Sequence, residues 1–229
     1  MPIEFLIFLT VFTPALVGGL NLILNKNPNV RDTVTLVGAL ITFYFSANIF
    51  LGFDGKATQY KLATIMPGID ISFHIEPLGI VFSLLASGLW ILTHIYAIGY
   101  MRGAKEKNHS RFFFFFSVSI ASVMGISFSG NLFTLFLFYE ILTLITFPLV
   151  SHKGSTEALR GARVYLSILL GTSIGLQLLG IIWIYFSVGT LDFVKGGILN
   201  GSFGSLELIL LVGLFAFGIG KAALFPFHR

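Results

Sequence analysis

The chain has 229 residues, of which 55% are hydrophobic and 10% charged, with a formal net charge of +4. A soluble domain carries about 25% charged residues, so these figures and a mean hydropathy of +0.92 exclude an ordinary water-soluble globule and indicate an integral membrane protein. There are no cysteines, which excludes disulfides, thiolate-held iron–sulfur clusters and cysteine zinc sites.

Seven apolar stretches are separable, at 3–24, 33–53, 78–101, 112–129, 131–150, 164–186 and 206–228. Each is close to the roughly twenty residues that cross a bilayer core as a helix, so the expected fold is all-α, a polytopic transmembrane bundle of about seven spans. The first stretch does not read as a signal peptide, because Glu4 precedes its apolar core and no basic residue does. The loop 54–77 contains the breakers Pro67, Gly68 and Pro77, and its segment DISFHI at 70–75 alternates in the way that fits a short strand or hairpin. The run of phenylalanines at 112–116 reads as a lipid-facing or packing surface. Gly130-Asn131 is a turn signal that makes a hairpin of the fourth and fifth helices, and the Gly-rich stretch 187–205 reads as irregular.

The basic residues gather in short loops. Lys26 and Arg31, then Arg102, Lys105, Lys107 and Arg111, then Lys153, Arg160 and Arg163, and finally Arg229 fall on one side, against Lys56, Lys61 and Lys195 on the other. This bias predicts an external N-terminus in the cell membrane and accounts for the sequence pI near 9.4 without nucleic acid. His109 and His152 read as surface residues.

The fifth stretch, NLFTLFLFYEILTLITFPLV, holds one fully charged residue, Glu140. A carboxylate at mid-membrane costs roughly 2.5–3.5 kcal/mol on insertion scales, so something inside the protein is expected to answer it. Lys221 is the one lysine in 206–228 and is the expected partner, while Thr143 is in reach of the carboxyl on the same helix. Glu140 reads either as part of an ion path or as a structural acid joining two helices. Lys221 lies among Gly213, Ala216, Gly218 and Gly220, which permit close contact with the fifth helix, and ahead of Pro226, which breaks the seventh helix. Lys221 therefore reads as part of an ion site in a broken helix, or as a lysine that snorkels to the nearer surface. His94 in the third span is either a proton-exchanging group or a packed, hydrogen-bonded histidine. His228 is a proton relay or a capping residue. Thr172, Ser173 and Gln177 read as polar contacts between helices, and Gly171 with Gly175 as a GxxxG packing contact. No phosphate loop, nucleophile elbow, zinc spacing or dinucleotide fingerprint occurs, so no catalytic, cofactor or metal site is expected. A channel would set like polar residues along several helices, and no such set stands out.

Four segments carry a family resemblance: HIYAIGYM at 94–101, YEILTLITFPLVSH at 139–152, EALRGARVYL at 157–166 and GKAALFPFH at 220–228. They resemble the antiporter-like subunits of the respiratory complex I superfamily, which includes proton-pumping NADH–quinone oxidoreductases, membrane-bound hydrogenases and Mrp-type cation/proton antiporters. The Tyr-Glu at 139–140 is similar to the Mrp and hydrogenase branch. The resemblance implies that Glu140 and Lys221 form a charge pair that gates ion movement, that His94 matches a polar position of the third helix, and that His228 follows the seventh-helix proline. It implies a three-helix segment at 1–111 and most of a first inverted-repeat unit at 112–229. Relatives continue into a second such unit, so this chain is expected to be a fragment or to find its second half in another chain.

The resulting expectation is an H⁺- or Na⁺-translocating subunit in the lipid bilayer, working beside other membrane subunits with no redox centre of its own. Holding Lys221 against Glu140 would stabilise the ammonium, and opening the pair would release its proton. A proton-pumping subunit of a quinone oxidoreductase and a structural membrane scaffold are the competing readings.

Overall fold

The computed structural model describes residues 2–55, 59–199 and 201–220. Helix α1 spans Ile3–Ile23 and ends in a short 3-10 turn, after which α2 spans Pro28–Gly52 with its proline at the first helical position, where the missing N–H costs no hydrogen bond. A hairpin follows, β1 at Gln59–Met66 and β2 at Ile69–His74. Then come α3 at Pro77–Gly103, α4 at His109–Ser127 and α5 at Leu132–Val150. Helix α6, Thr156–Thr172, continues through a π-helical turn at Ser173–Gln177 into α7, Leu178–Val188, and α8 spans Ser205–Gly218. Six of these helical segments are long and apolar enough to cross a membrane, the α6–α7 run counting as one of 33 residues, and α8 is a shorter apolar helix. The chain is a polytopic helical membrane protein.

Helices α1 to α4 form one bundle. Close approach is built from glycines: a Cβ on Gly38 of α2 would lie 2.3 Å from a methyl of Val17, and one on Gly18 of α1 would meet Phe114 O and Val118 of α4 at 3.1–3.2 Å. Helix α4 carries the fold onward to α5, where a Cβ on Gly125 would fall 2.3 Å from the Phe138 ring. The GN turn joins these two helices as expected. The Asn131 side chain caps α5 by accepting from Thr134 N at 2.7 Å, and its amide donates to Asp70 O and Ser72 Oγ at 2.8 and 2.9 Å. One side chain thus satisfies an orphan helix N–H and pins α5 to the hairpin.

The alternating segment forms most of strand β2 and pairs antiparallel with β1, so of the expected strand or hairpin the hairpin is what forms. The Pro67-Gly68 turn puts Gly68 at φ +79°, a backbone conformation that favours glycine. Tyr185 on α7 donates to Pro67 O at 2.8 Å, and Lys61 pairs with Asp70 at 2.5 Å. His74 N donates to Phe128 O, Gly130 N to Ser72 O, and Phe193 N to Gly130 O. The hairpin, the α4–α5 turn and the irregular 190s therefore meet at one end of the molecule. The 3-10 turn, the α3–α4 loop and the α5–α6 turn meet at the other.

Two apolar clusters close the structure. One, at the hairpin end of the α1–α4 bundle, contains Ile7, Val11, Ile49, Phe73, Ile80, Met124 and Phe128. The other joins Ile181, Ile184 and Leu191 to Leu211, with Leu132, Phe136 and Phe215 packed around them. This second cluster fixes α8 against α7 and the start of α5.

Candidate functional site

Glu140 sits on α5, half-buried, and its Oε1 is shielded from solvent with no hydrogen-bond partner among the described residues. Thr143 does not answer it. The Thr143 hydroxyl donates to Tyr139 O at 2.9 Å, because a threonine inside a helix has the carbonyl four residues back within reach. Helix α5 is held to α6 by Thr146, whose hydroxyl bonds Leu142 O and lies 3.4 Å from the Tyr165 hydroxyl. The acid is therefore carried on a helix fixed by glycine contact to α4 on one side and polar contact to α6 on the other.

Lys221 and His228 lie outside the described residues, as does Pro226. The approach to them is described. Regular helix stops at Gly218, and Ile219 at φ −81°, ψ 65° has left the helical region before the lysine position is reached. Gly218 and Gly220 do permit close contact, but with the sixth span rather than the fifth helix. A Cβ on Gly218 would lie 2.7 Å from Gln177 N, and one on Gly220 would overlap Thr172 Oγ1. The reason is the π turn. Thr172 and Ser173 donate to the carbonyls of Ile168 and Leu169 at 2.9 and 2.8 Å, the helix widens, and Gln177 is turned into the α8 crossing at 3% exposure with Oε1 unpartnered among the described residues. Such π turns recur at functional sites. The Thr-Ser pair followed by a buried glutamine was its only sequence signal. Gly171 and Gly175, in contrast, have no atom within 4 Å of a built Cβ among the described residues, so the GxxxG pair makes no close contact with any of them.

His94 lies elsewhere, fully buried in the α1–α4 bundle. Its Nε2 is 3.0 Å from Asp32 O, and its ring meets Phe113 edge-on at 4.9 Å. Because a carbonyl only accepts, Nε2 carries the hydrogen, and Nδ1 is left without a partner among the described residues. No described contact joins His94 to Glu140.

Beside His94 is a charge cluster that loop counting did not find. Arg31, expected in a loop, is in α2 together with Asp32, and the two are 3% and 5% exposed. Arg31 Nε and Nη2 donate to Asp32 Oδ1 at 2.8 and 2.7 Å, and Arg102 Nη2 donates to Oδ2 at 2.5 Å and to Asn29 Oδ1 at 2.9 Å. The Arg31 guanidinium also reaches Ser110 Oγ at 3.2 Å and lies 5.1 Å from the centre of the Phe113 ring, so one of the five consecutive phenylalanines has a specific partner. His109 and His152 are half-buried rather than on the surface; the His152 ring packs on Phe112 at 5.3 Å. Burial, and then the nearby Arg111 charge, hold the His152 imidazole below its ordinary value of 6.5, against the opposing effect of Glu106. Among the described residues no group of three His, Asp or Glu side chains could hold a metal.

A polytopic helical bundle carrying a buried carboxylate on its fifth span is the class that these observations define. Two family models match the chain: complex I chain 5 N-terminus at residues 66–113, and the NADH:quinone oxidoreductase/Mrp antiporter transmembrane family at 129–229. The chain belongs to the antiporter-like membrane subunits of the complex I superfamily. It is 31% identical over 179 residues to Na(+)/H(+) antiporter subunit A1 of Staphylococcus aureus, covering 75% of this chain and 22% of that protein. It is 28% identical over 241 aligned positions to the chloroplastic NAD(P)H-quinone oxidoreductase subunit 5 of Ipomoea purpurea, covering 96% of this chain and 33% of that protein. A chain of the Mrp complex of Dietzia sp. DQ12-45-1b shares the fold, with a TM-score of 0.80 and 22% identity over all of this chain and 42% of that one. The chain spans 19–45% of the lengths of the curated relatives that it matches.

Proposed function

We propose that the chain forms the ion-translocating first unit of an Mrp-type antiporter subunit, with Glu140 and Lys221 as its gate. Residues 1–111 would support the unit that begins with α4. The observation that carries this reading is Glu140 itself, a carboxylate inside a membrane helix whose shielded oxygen has no partner among the described residues. Such a group is relieved by a cation that comes to it or by a proton that it takes up, and the close packing that ends at Gly220 brings the chain into the bundle just before Lys221. The transported ion would be H⁺ or Na⁺, the lipid bilayer of the cell membrane its site, the N-terminus external, and other membrane subunits its partners, as the names of its relatives suggest. The similarity to a quinone oxidoreductase subunit supports a second reading, in which the same pair serves a redox-driven proton pump.

Glu140→Gln is nearly isosteric and removes the charge. In membrane vesicles, assembled complexes that carry it should lose most ion translocation, with assembly checked on native gels. Normal translocation would exclude Glu140 as the gate and favour a scaffold role.

A further inference from the structure

The core of the α1–α4 bundle is polar along most of its length. Asn21 on α1, Thr35, Thr42 and Ser46 on α2, Ser83, Ser87 and His94 on α3, and Ser117 on α4 are all 0% exposed. On α2 and on α3 these positions are four or seven residues apart, so each of those two helices turns one polar stripe inward, and α1 and α4 each add one residue to it. Direct contacts tie the four helices together along this core. Thr35 donates to Asn21 Oδ1 at 2.8 Å, His94 bonds the Asp32 carbonyl, and Gly18 packs on Ser117. Gly88 against the Phe43 ring fixes the register of α2 on α3, which puts Ser46 near the level of Ser83.

The charged groups of the bundle core are satisfied, and several of its neutral groups are not. Asn21 Nδ2, Ser46 Oγ, Trp90 Nε1, His94 Nδ1 and Ser117 Oγ all lack a hydrogen-bond partner among the described residues. Each such group is costly if it stays dry, and five in one seam weigh heavily against a fold of marginal stability. Water that makes two or more hydrogen bonds between them removes that cost. The hydroxyls of Thr42, Ser83 and Ser87 donate to carbonyls of their own helices, which leaves their oxygen lone pairs to accept from such water.

The seam is closed at one end only. At the hairpin end it stops against Ile7, Ile49, Ile80, Met124 and Phe128, each 0–1% exposed. At the other it meets the Arg31–Asp32–Arg102 cluster, where the Arg102 side chain is 43% exposed. From this geometry we infer that the α1–α4 bundle is a blind, hydrated half-channel that opens beside Arg102 and brings water to Nδ1 of His94, separately from Glu140. Nδ1 exchanges a proton with that water, taking it up and returning it on the same side, while Nε2–H stays on the Asp32 carbonyl.

Hydroxyl-radical footprinting of the native complex tests the water first, because radicals made from bound water oxidise residues that never face the bulk. Trp90 and His94 should be modified several-fold faster than Met124, although methionine is the more readily oxidised side chain. Modification of Trp90 and His94 no faster than that of Met124 means a dry seam and overturns the inference, whatever Glu140→Gln does. The Ser46→Ala/Ser117→Ala double variant tests the seam as the route of that water. It should keep assembly and slow the labelling of Trp90 and His94 several-fold; labelling at the wild-type rate in an assembled complex would overturn the route. Labelling that persists in a Glu140→Gln complex with normal translocation would sink the gate reading and leave the half-channel standing.

Discussion

Asp32 and Glu140 are both carboxylates shielded by apolar helices, and the chain surrounds them in opposite ways. Asp32 has both oxygens engaged by arginines, and its main-chain carbonyl bonds His94. Glu140 has an oxygen that meets no donor among the described residues. Once both oxygens of a buried carboxylate are paired, moving it means breaking two charge-assisted bonds at once; such a group holds helices in register. A buried carboxylate with an open oxygen can exchange partners at little cost. The arginine cluster thus reads as the fixed end of the molecule, and the α5–α8 region, with its π turn and early helix stop, as the part built to change.

The largest effect that would break this comparison is in stability. Asp32→Asn should destabilise the protein by about 3–5 kcal/mol, because Arg31 stays buried without its counter-charge, and Glu140→Gln should change stability by no more than about 1 kcal/mol. Thermal unfolding of both variants in detergent is the check. Equal losses would mean that Glu140 is as structural as Asp32.

A double-mutant cycle sharpens the same contrast. If Lys221 is the partner that Glu140 awaits, Glu140→Gln and Lys221→Met should be non-additive by about 0.5–3 kcal/mol, and the double variant should stay inactive because no charge is left to switch. Strict additivity in thermal stability would require a different partner for each residue.

The glycines test how tightly the movable region is packed. Gly218→Ala should cost about 1–3 kcal/mol, since its new methyl would overlap the Gln177 backbone. Gly175→Ala meets nothing and should be neutral or stabilise by up to about 1 kcal/mol. Melting temperatures in detergent would separate them; a neutral Gly218→Ala would show that α8 does not press on the π turn.

The smallest expected effect is at His152. Its protonation is depressed by burial, so the unfolded chain binds the proton more readily and stability falls as pH drops below about 6.5. Replacing His152 with Phe should flatten that part of the pH–stability curve slightly, the group being only partly shielded. An unchanged slope in pH-dependent unfolding would assign the effect elsewhere.

The sequence by itself determined the membrane spans, the helical hairpin at Gly130-Asn131, the strand at 70–75 and the lone acid of the fifth span. These follow from local quantities: the length of an apolar run, the alternation of a short segment, the cost of one charge among apolar neighbours. Its tyrosine–glutamate and glycine–lysine contexts also carried the family. What the tertiary structure alone decided is where polar atoms converge. Arg31 and Arg102 were indistinguishable from orientation signals in loops until α2, α3 and α4 brought them to one carboxylate. The serines and threonines of four helices looked like scattered helix-compatible residues, since one hydroxyl per turn makes no pattern along the chain, and only antiparallel register makes them face each other. Gly218 and Gly220 announced close packing, but the fifth helix expected as partner is not the one they meet, because a missing side chain fits any neighbour; the π turn, which widens the sixth span and turns Gln177 inward, made the choice.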